Sequence, residues 1–165
     1  MKNIICIIGF ALVCLFTSTA SAQKFEDIYK KYKKEENVTS VRVNKLGLML
    51  LSLFGGEDDE EGKQFLKKSS GIRILISEDS TNKDMEEDIY KFIKRSNLEQ
   101  LIEITETGDG ENVEVYIREK GDTIHELLIL VKDESDQVAI HVTGKYPLSV
   151  IRDMIASKNG FPIKG

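Results

Sequence analysis

The sequence predicts an α+β domain, a mixed sheet that ends in a four-stranded antiparallel meander and is packed by four to five helices. Three observations predict it. Residues 98–143 hold four strand-like runs joined by short turns. Two amphipathic helical patterns precede them, one opening at Phe25 and one running to about Arg95. Between Val38 and Thr105, strand and helix patterns alternate and read as a βαβαβ or split βαβ start that feeds the meander.

Met1 to Ala22 reads as a signal peptide. Lys2 gives a short positive start, Ile4 to Phe16 is the apolar stretch, and Ala20-Ser21-Ala22 is a small-x-small cleavage site. The apolar stretch is short for a membrane span. The expected organisation is therefore a leader over 1–22 and one domain over 23–165, long enough to bury a core. Both cysteines, Cys6 and Cys14, fall in the leader. The domain is then expected to have no disulfide, no thiolate metal site and no cysteine nucleophile. Val13 is bulky where a lipid-modified cysteine follows a small residue, so no anchor is expected at Cys14. The chain carries 23 basic and 28 acidic residues, net −5, or −6 once Lys2 is removed. An acidic domain is not built to grip nucleic acid or anionic lipid as a whole.

Phe25, Ile28, Tyr29 and Tyr32 fall at helical spacing, with Lys30, Lys31, Lys33 and Lys34 on the other face. That basic face reads as solvated. Val38–Val43 alternates and is β-branched, which predicts a strand. Asn44 can cap a short helix through Phe54. Leu46, Leu48, Met49, Leu50, Leu51, Leu53 and Phe54 leave that helix almost no polar face. It must be buried or must meet a partner or membrane surface, and burial is the expectation. Gly55-Gly56 ends it. The five acids Glu57–Glu61 that follow lack the spacing and central glycine of a calcium loop and read as a solvated loop. A short helix through Phe65 and Leu66 leads to the apolar strand Ile72–Ser77. Ser80 or Thr81 can cap the clearest helix, whose inner stripe is Met85, Ile89, Phe92 and Ile93. Pro147 sits near the start of a last helix with Leu148, Ile151, Met154 and Ile155 inward and Gly160 at its close.

Within the meander, Val113, Val115 and Ile117 share one face, as do Val138, Ile140 and Val142. A two-residue turn at Asp109-Gly110 pairs Ile104 with Val115 and Ile102 with Ile117. A two-residue turn at Lys120-Gly121 or Gly121-Asp122 adds Leu128 and Leu130 to that face. Two residues at Glu134-Ser135 would then turn Val138, Ile140 and Val142 the wrong way, so an odd loop over Glu134–Asp136 or a bulge is expected. The opposite face would hold Leu101, Tyr116, Leu127, Ile129, Val131, Ala139 and His141. A covering helix is expected there, either Leu46–Phe54 or the N-terminal one.

Several segments together resemble one family. They are Phe25-x-x-x-Tyr29-x-x-Tyr32, Val38-Thr39-Ser40-Val41, Gly71-Ile72-Arg73-Ile74-Leu75, Glu126-Leu127-Leu128, and Gly144 leading into Leu148-Ser149-x-Ile151. The chain resembles the domain-of-unknown-function 4252 family, found mainly in exported proteins of the Bacteroidetes. The resemblance implies a bacterial cell-envelope setting. It brings no activity, cofactor or catalytic residue with it.

Chemistry is sparse. His125 and His141 fall on one face but about 13 Å apart along the strand, too far to share a metal whose ligands lie near 2 Å. No nucleophile elbow, zinc-protease motif or phosphate loop is present, and Gly108-Asp109-Gly110 is a hairpin turn. Glu103, Glu114 and Glu126 could serve as paired carboxylates only in a cleft the pattern does not define. Asp79-Ser80-Thr81 and Asp122-Thr123-Ile124 resemble a short O-glycosylation acceptor motif of exported proteins in this bacterial group, with Ser80 and Thr123 as acceptors. No cofactor is expected. The function expected first is a non-enzymatic, exported envelope module, periplasmic or otherwise outside the cytoplasm, that binds another protein. Its candidate surface is Leu46, Leu50, Phe54, Tyr116, Leu127, Ile129 and His141. A periplasmic carrier of a small apolar ligand is the alternative, and a carboxylate-based hydrolase the third. Neither nucleic acid nor a transmembrane segment in the mature chain is expected.

Overall fold

The computed structural model describes residues 24–54, 60–79, 82–105 and 110–150. The leader, Ser80, the Phe54 side chain and most of the last helix lie outside the described residues. The fold is α+β. Six strands form one sheet in the order β1-β2-β6-β5-β4-β3. They are β1 (Val38–Asn44), β2 (Ser69–Ser77), β3 (Glu99–Thr105), β4 (Asn112–Lys120), β5 (Thr123–Lys132) and β6 (Gln137–Pro147). The helices are α1 (Phe25–Tyr32), α2 (Lys45–Phe54), α3 (Glu60–Lys68) and α4 (Lys83–Arg95). Residues 148–150 are helical as well.

The meander β3-β4-β5-β6 is present. The sheet is antiparallel throughout rather than mixed. The reason lies between β1 and β2. A single crossover helix would deliver a parallel strand. Here two helices, α2 and α3, bring the chain back to the end where β1 stopped, and Asn44 pairs with Gly71. The strands β6, β5 and β4 lie between β2 and β3, so α4 carries the chain from β2 across to the far edge of the sheet.

The registers correct the expected faces. The β3–β4 hairpin pairs Ile102 with Val115 and Ile104 with Val113, two residues away from the expected register. A shift of two keeps Ile102 and Ile104 on their face, while Leu101 is the extra residue of a bulge that turns over Glu99 and Gln100. In the β4–β5 hairpin, Lys120 pairs with Thr123 and Glu119 with Ile124, but Arg118 pairs with Glu126. His125 is the extra residue of a bulge, and it turns over the rest of β5. Val115 therefore meets Ile129, and Leu128 and Leu130 go to the opposite face with Tyr116. The β5–β6 turn needs no odd loop. Lys132 pairs with Gln137 and Asp133 N–H donates to Asp136 O, which leaves Glu134-Ser135 as the tip. The parity correction expected in the last loop sits one hairpin earlier.

Two cores result. On one face α1 and α4 cover Leu75, Tyr116, Leu128, Leu130 and Ala139, and both predicted stripes are buried. Lys31 Nζ and Tyr32 OH both donate to Asp88, at 2.7 and 2.9 Å, and tie α1 to α4. Asn82, rather than Ser80 or Thr81, caps α4 by accepting from Met85 N–H at 3.1 Å. On the other face, Val115, Ile117, Ile124, Leu127, Val142 and Tyr146 form a second core. Phe65 of α3 stacks on Tyr146 with ring centroids 4.9 Å apart. Ile102, Val113, Ile129 and Ile140 are only half-buried there. The N-terminal helix is thus a cover of the reverse face, as expected, and α4 completes it.

Candidate functional site

Two places carry features that folding alone does not require. The first is α2. Asn44 Oδ1 accepts from Gly47 N–H at 2.9 Å and starts the helix as predicted. Helical spacing then points Leu48 and Ser52 inward, and both are buried. Four other side chains of α2 face out. Leu46 is 62% exposed, Met49 52%, Leu50 46% and Leu51 49%. The expected burial of this helix is overturned. The sheet is already closed over its reverse face by α1 and α4. On its own face α2 packs mainly against α3, β2 and β1. One contact stripe is all that a helix at a sheet edge can use.

The candidate surface residues are not brought together. Leu46 and Leu50 lie on α2. Leu127 and Ile129 belong to the second core and its margin. Tyr116 and His141 lie on the opposite face, beneath α1 and α4. Leu127 and Tyr116 are buried and serve packing. Tyr116 OH donates to Glu114 at 2.6 Å. Tyr90 OH (2.9 Å) and Asn112 Nδ2 (3.0 Å) donate to the same carboxylate. Burial first, and then this carboxylate, push both tyrosine hydroxyls up. Thr123 starts β5, paired with Lys120 and Pro147.

The second place is a cleft of about 510 Å3 between the N-terminal end of α1, the C-terminal end of α4 and the sheet. Lys24, Glu26, Arg73, Arg95, Arg118, Glu126, His141 and Thr143 contribute to its walls. Alternation puts Arg73, Glu126 and His141 on the α1-facing side of β2, β5 and β6, where Arg73 pairs across to His141. His141 stacks on Phe25 with ring centroids 4.4 Å apart. Its Nε2–H donates to Glu126 Oε1 at 2.5 Å. An ionised carboxylate can only accept, so this bond places the ring proton on Nε2 and leaves Nδ1 as a buried lone pair with no partner among the described residues. Arg118 Nη2 lies 2.6 Å from Glu126 Oε2 as an ion pair.

Burial holds His141 below its ordinary range, with the charges of Arg73 and Arg118 acting the same way against Glu126. Burial alone would raise Glu126. The His141 hydrogen bond and the Arg118 charge outweigh it and hold the carboxyl low. At Glu26, burial is likewise outweighed by Arg73, Arg42 and Lys30. Arg73 Nε donates to Glu26 Oε2 at 2.6 Å and Arg42 Nη1 to Oε1 at 3.0 Å.

His125 and His141 do not form a pair. His125 is the bulge residue, and His141 faces Leu128 on β5 rather than Ile129. Among the described residues no group of three or more His, Cys, Asp or Glu is placed to hold a metal. Glu103 and Glu114 are direct partners across β3 and β4, whereas Glu126 shares their face but is offset from Glu114 by four residues, about 13 Å along the strands. A glycosidase pair stands roughly 5–9.5 Å apart. The sequence did hold a signal for the cleft. Arg73 interrupts Ile72–Ile76, and Glu126 interrupts Ile124–Val131. A charge on the inward side of an apolar strand must find a partner there.

A profile described as "Domain of unknown function (DUF4252)" matches residues 32–154. The chain belongs to the DUF4252 family. The match spans β1 through β6 and all four helices except the first seven residues of α1, so both the cleft's sheet floor and α2 lie inside the DUF4252 domain. No curated protein and no solved structure matches the chain. Among the described residues no helix is long and apolar enough to cross a membrane.

Proposed function

We propose that this DUF4252 protein is an exported, non-enzymatic binding module that docks a protein partner through α2. One observation carries the reading: Leu46, Met49, Leu50 and Leu51 stand 46–62% exposed on a single ten-residue helix. Leu46, Met49 and Leu50 have the i, i+3, i+4 spacing with which an apolar helix enters a groove. Exposed apolar surface concentrated in this way marks an interaction site.

Charge favours a protein groove over a lipid surface. The chain is acidic overall, and five consecutive acids follow α2 in the sequence. Such a segment is repelled by anionic headgroups. The carrier reading needs the same side chains around an internal cavity, and they face solvent instead. The export part of the proposal rests on the leader pattern of residues 1–22.

The test is mild crosslinking in the native cell followed by affinity isolation, with Leu50→Asp as the comparison. The expected result is a discrete co-isolated protein that disappears in the variant while its circular dichroism is unchanged. The same protein recovered equally with both forms removes α2 as the docking site.

A further inference from the structure

We propose that the cleft between the start of α1 and the end of α4 binds a small oxyanion, a carboxylate or phosphate group, held by Arg73 and Arg118. The inference is independent of the α2 reading and concerns the opposite face of the sheet.

The argument begins with charge. In a chain of net −5, this cleft gathers three cations, Lys24, Arg73 and Arg118, against two carboxylates. Both carboxylates are already committed. Glu26 serves Arg73 at 2.6 Å, Arg42 at 3.0 Å and Lys30 at 3.6 Å, so one negative charge faces three positive ones. Glu126 is shared between Arg118 and the His141 ring. His141 is held neutral by burial and adds no charge of its own. The cleft is therefore left with a positive excess inside an acidic molecule.

The arginines also have unused donors. Arg73 has a side chain only 19% exposed and spends its Nε on Glu26. Neither of its Nη nitrogens has a protein acceptor among the described residues. Both Nη groups keep contact with the solvent of the cleft, where an arriving oxyanion can replace water as acceptor. A planar fork of this kind matches the two oxygens of a carboxylate or phosphate. Arg118 uses Nη2 on Glu126 and is half exposed, so its remaining donors are available at the mouth. The anchors behind are rigid. Glu26 and Glu126 fix the arginines, and the His141 ring is clamped against Phe25 and Phe92. A binding group held in place beforehand loses little entropy when the ligand arrives. The volume, about 510 Å3, falls within the range of small-molecule sites.

The experiment is a nitrogen-15 NMR titration of the purified protein with sodium phosphate, with sodium succinate, and with sodium chloride at matched ionic strength. The expected result is saturable shifts at the Arg73 side chain and the Phe25 and Glu26 amides with at least one oxyanion, and none with chloride. Saturation by succinate alone assigns a carboxylate ligand, and by phosphate alone a phosphorylated one. Arg73→Gln is expected to weaken binding about tenfold or more, the loss of a charged bidentate contact. Arg118→Gln alters a half-exposed side chain, keeps the fold and carries the test if Arg73→Gln does not fold. It is expected to weaken binding less. Shifts that follow ionic strength with all three salts overturn the proposal. So does absence of saturation by either oxyanion below about 10 mM, or saturable binding that neither variant weakens.

Discussion

Gly144 and His141 show how single residues hold this molecule. Gly144 lies in β6 beneath the Tyr146 ring, and a Cβ there would overlap the ring carbons and hydroxyl. Tyr146 OH donates to Ser69 Oγ at 2.6 Å, and Ser69 Oγ donates to Phe65 O at 2.8 Å. The absent side chain thus makes room for the contact that joins β6 to the α3–β2 junction. Gly144→Ala is expected to cost about 1–3 kcal/mol by overpacking, measured as a lower urea midpoint with unchanged slope. An unchanged midpoint would show that the ring can move aside. His141 sets a pH response. Its folded pKa lies below the ordinary 6.5, so the unfolded chain takes up the proton first. Stability from keeping this ring neutral is complete above about pH 6.5 and is lost as pH falls toward the folded value. Glu126 and Glu26 are also held low, from 4.5, and their contribution is lost as pH falls below about 4.5. Two acid phases are expected in the urea stability of the wild type. His141→Gln is expected to abolish the first and keep the second. A first phase that survives this substitution would assign it to another group.

At the scale of elements, α2 and the β5 bulge are the informative cases. Leu48 is fully buried and Leu50 is 46% exposed, two residues apart on one helix. Leu48→Ala is expected to cost about 2–5 kcal/mol and Leu50→Ala no more than about 0.5 kcal/mol. Equal losses in calorimetry would mean that α2 is packed on both sides in solution. Asn82→Ala removes the α4 cap and is expected to cost about 0.5–2 kcal/mol, visible in the same measurement. Much of this level was legible beforehand. Helical spacing gave the buried stripes of α1 and α4, and alternation gave the strands of the meander. The bulge at His125 was not legible, because an extra residue leaves no mark when both faces of β5 are apolar. Leu127–Val131 fits either register, and only the partner strands decide between them. The exposure of α2 was hidden for a related reason. Apolar composition says that a helix needs contact, but not whether that contact is in the same chain.

Across the whole molecule, one sheet divides two unequal surfaces. One face is covered by α1 and α4 and holds a cationic cleft. The other is capped at one end by α2 and α3 and leaves apolar side chains facing solvent. Arg73 and Glu126 were legible as charges in apolar strands, but the cleft was not, because its charges come from α1, β2, α4, β4 and β5 and meet only after folding. The central claim is that α2 is open in the isolated protein and covered in its native setting. Cysteine accessibility tests it directly, because the only cysteines of the chain are Cys6 and Cys14, both within the leader pattern. Single-cysteine forms Leu48→Cys, Leu50→Cys and Lys94→Cys can be treated with a membrane-permeant maleimide, once as purified protein and once in intact cells. In the purified protein, Leu50→Cys and Lys94→Cys are expected to react quickly and Leu48→Cys slowly. In cells, Lys94→Cys is expected to stay reactive while Leu50→Cys becomes protected. Equal reactivity of Leu50→Cys in both settings would contradict the account.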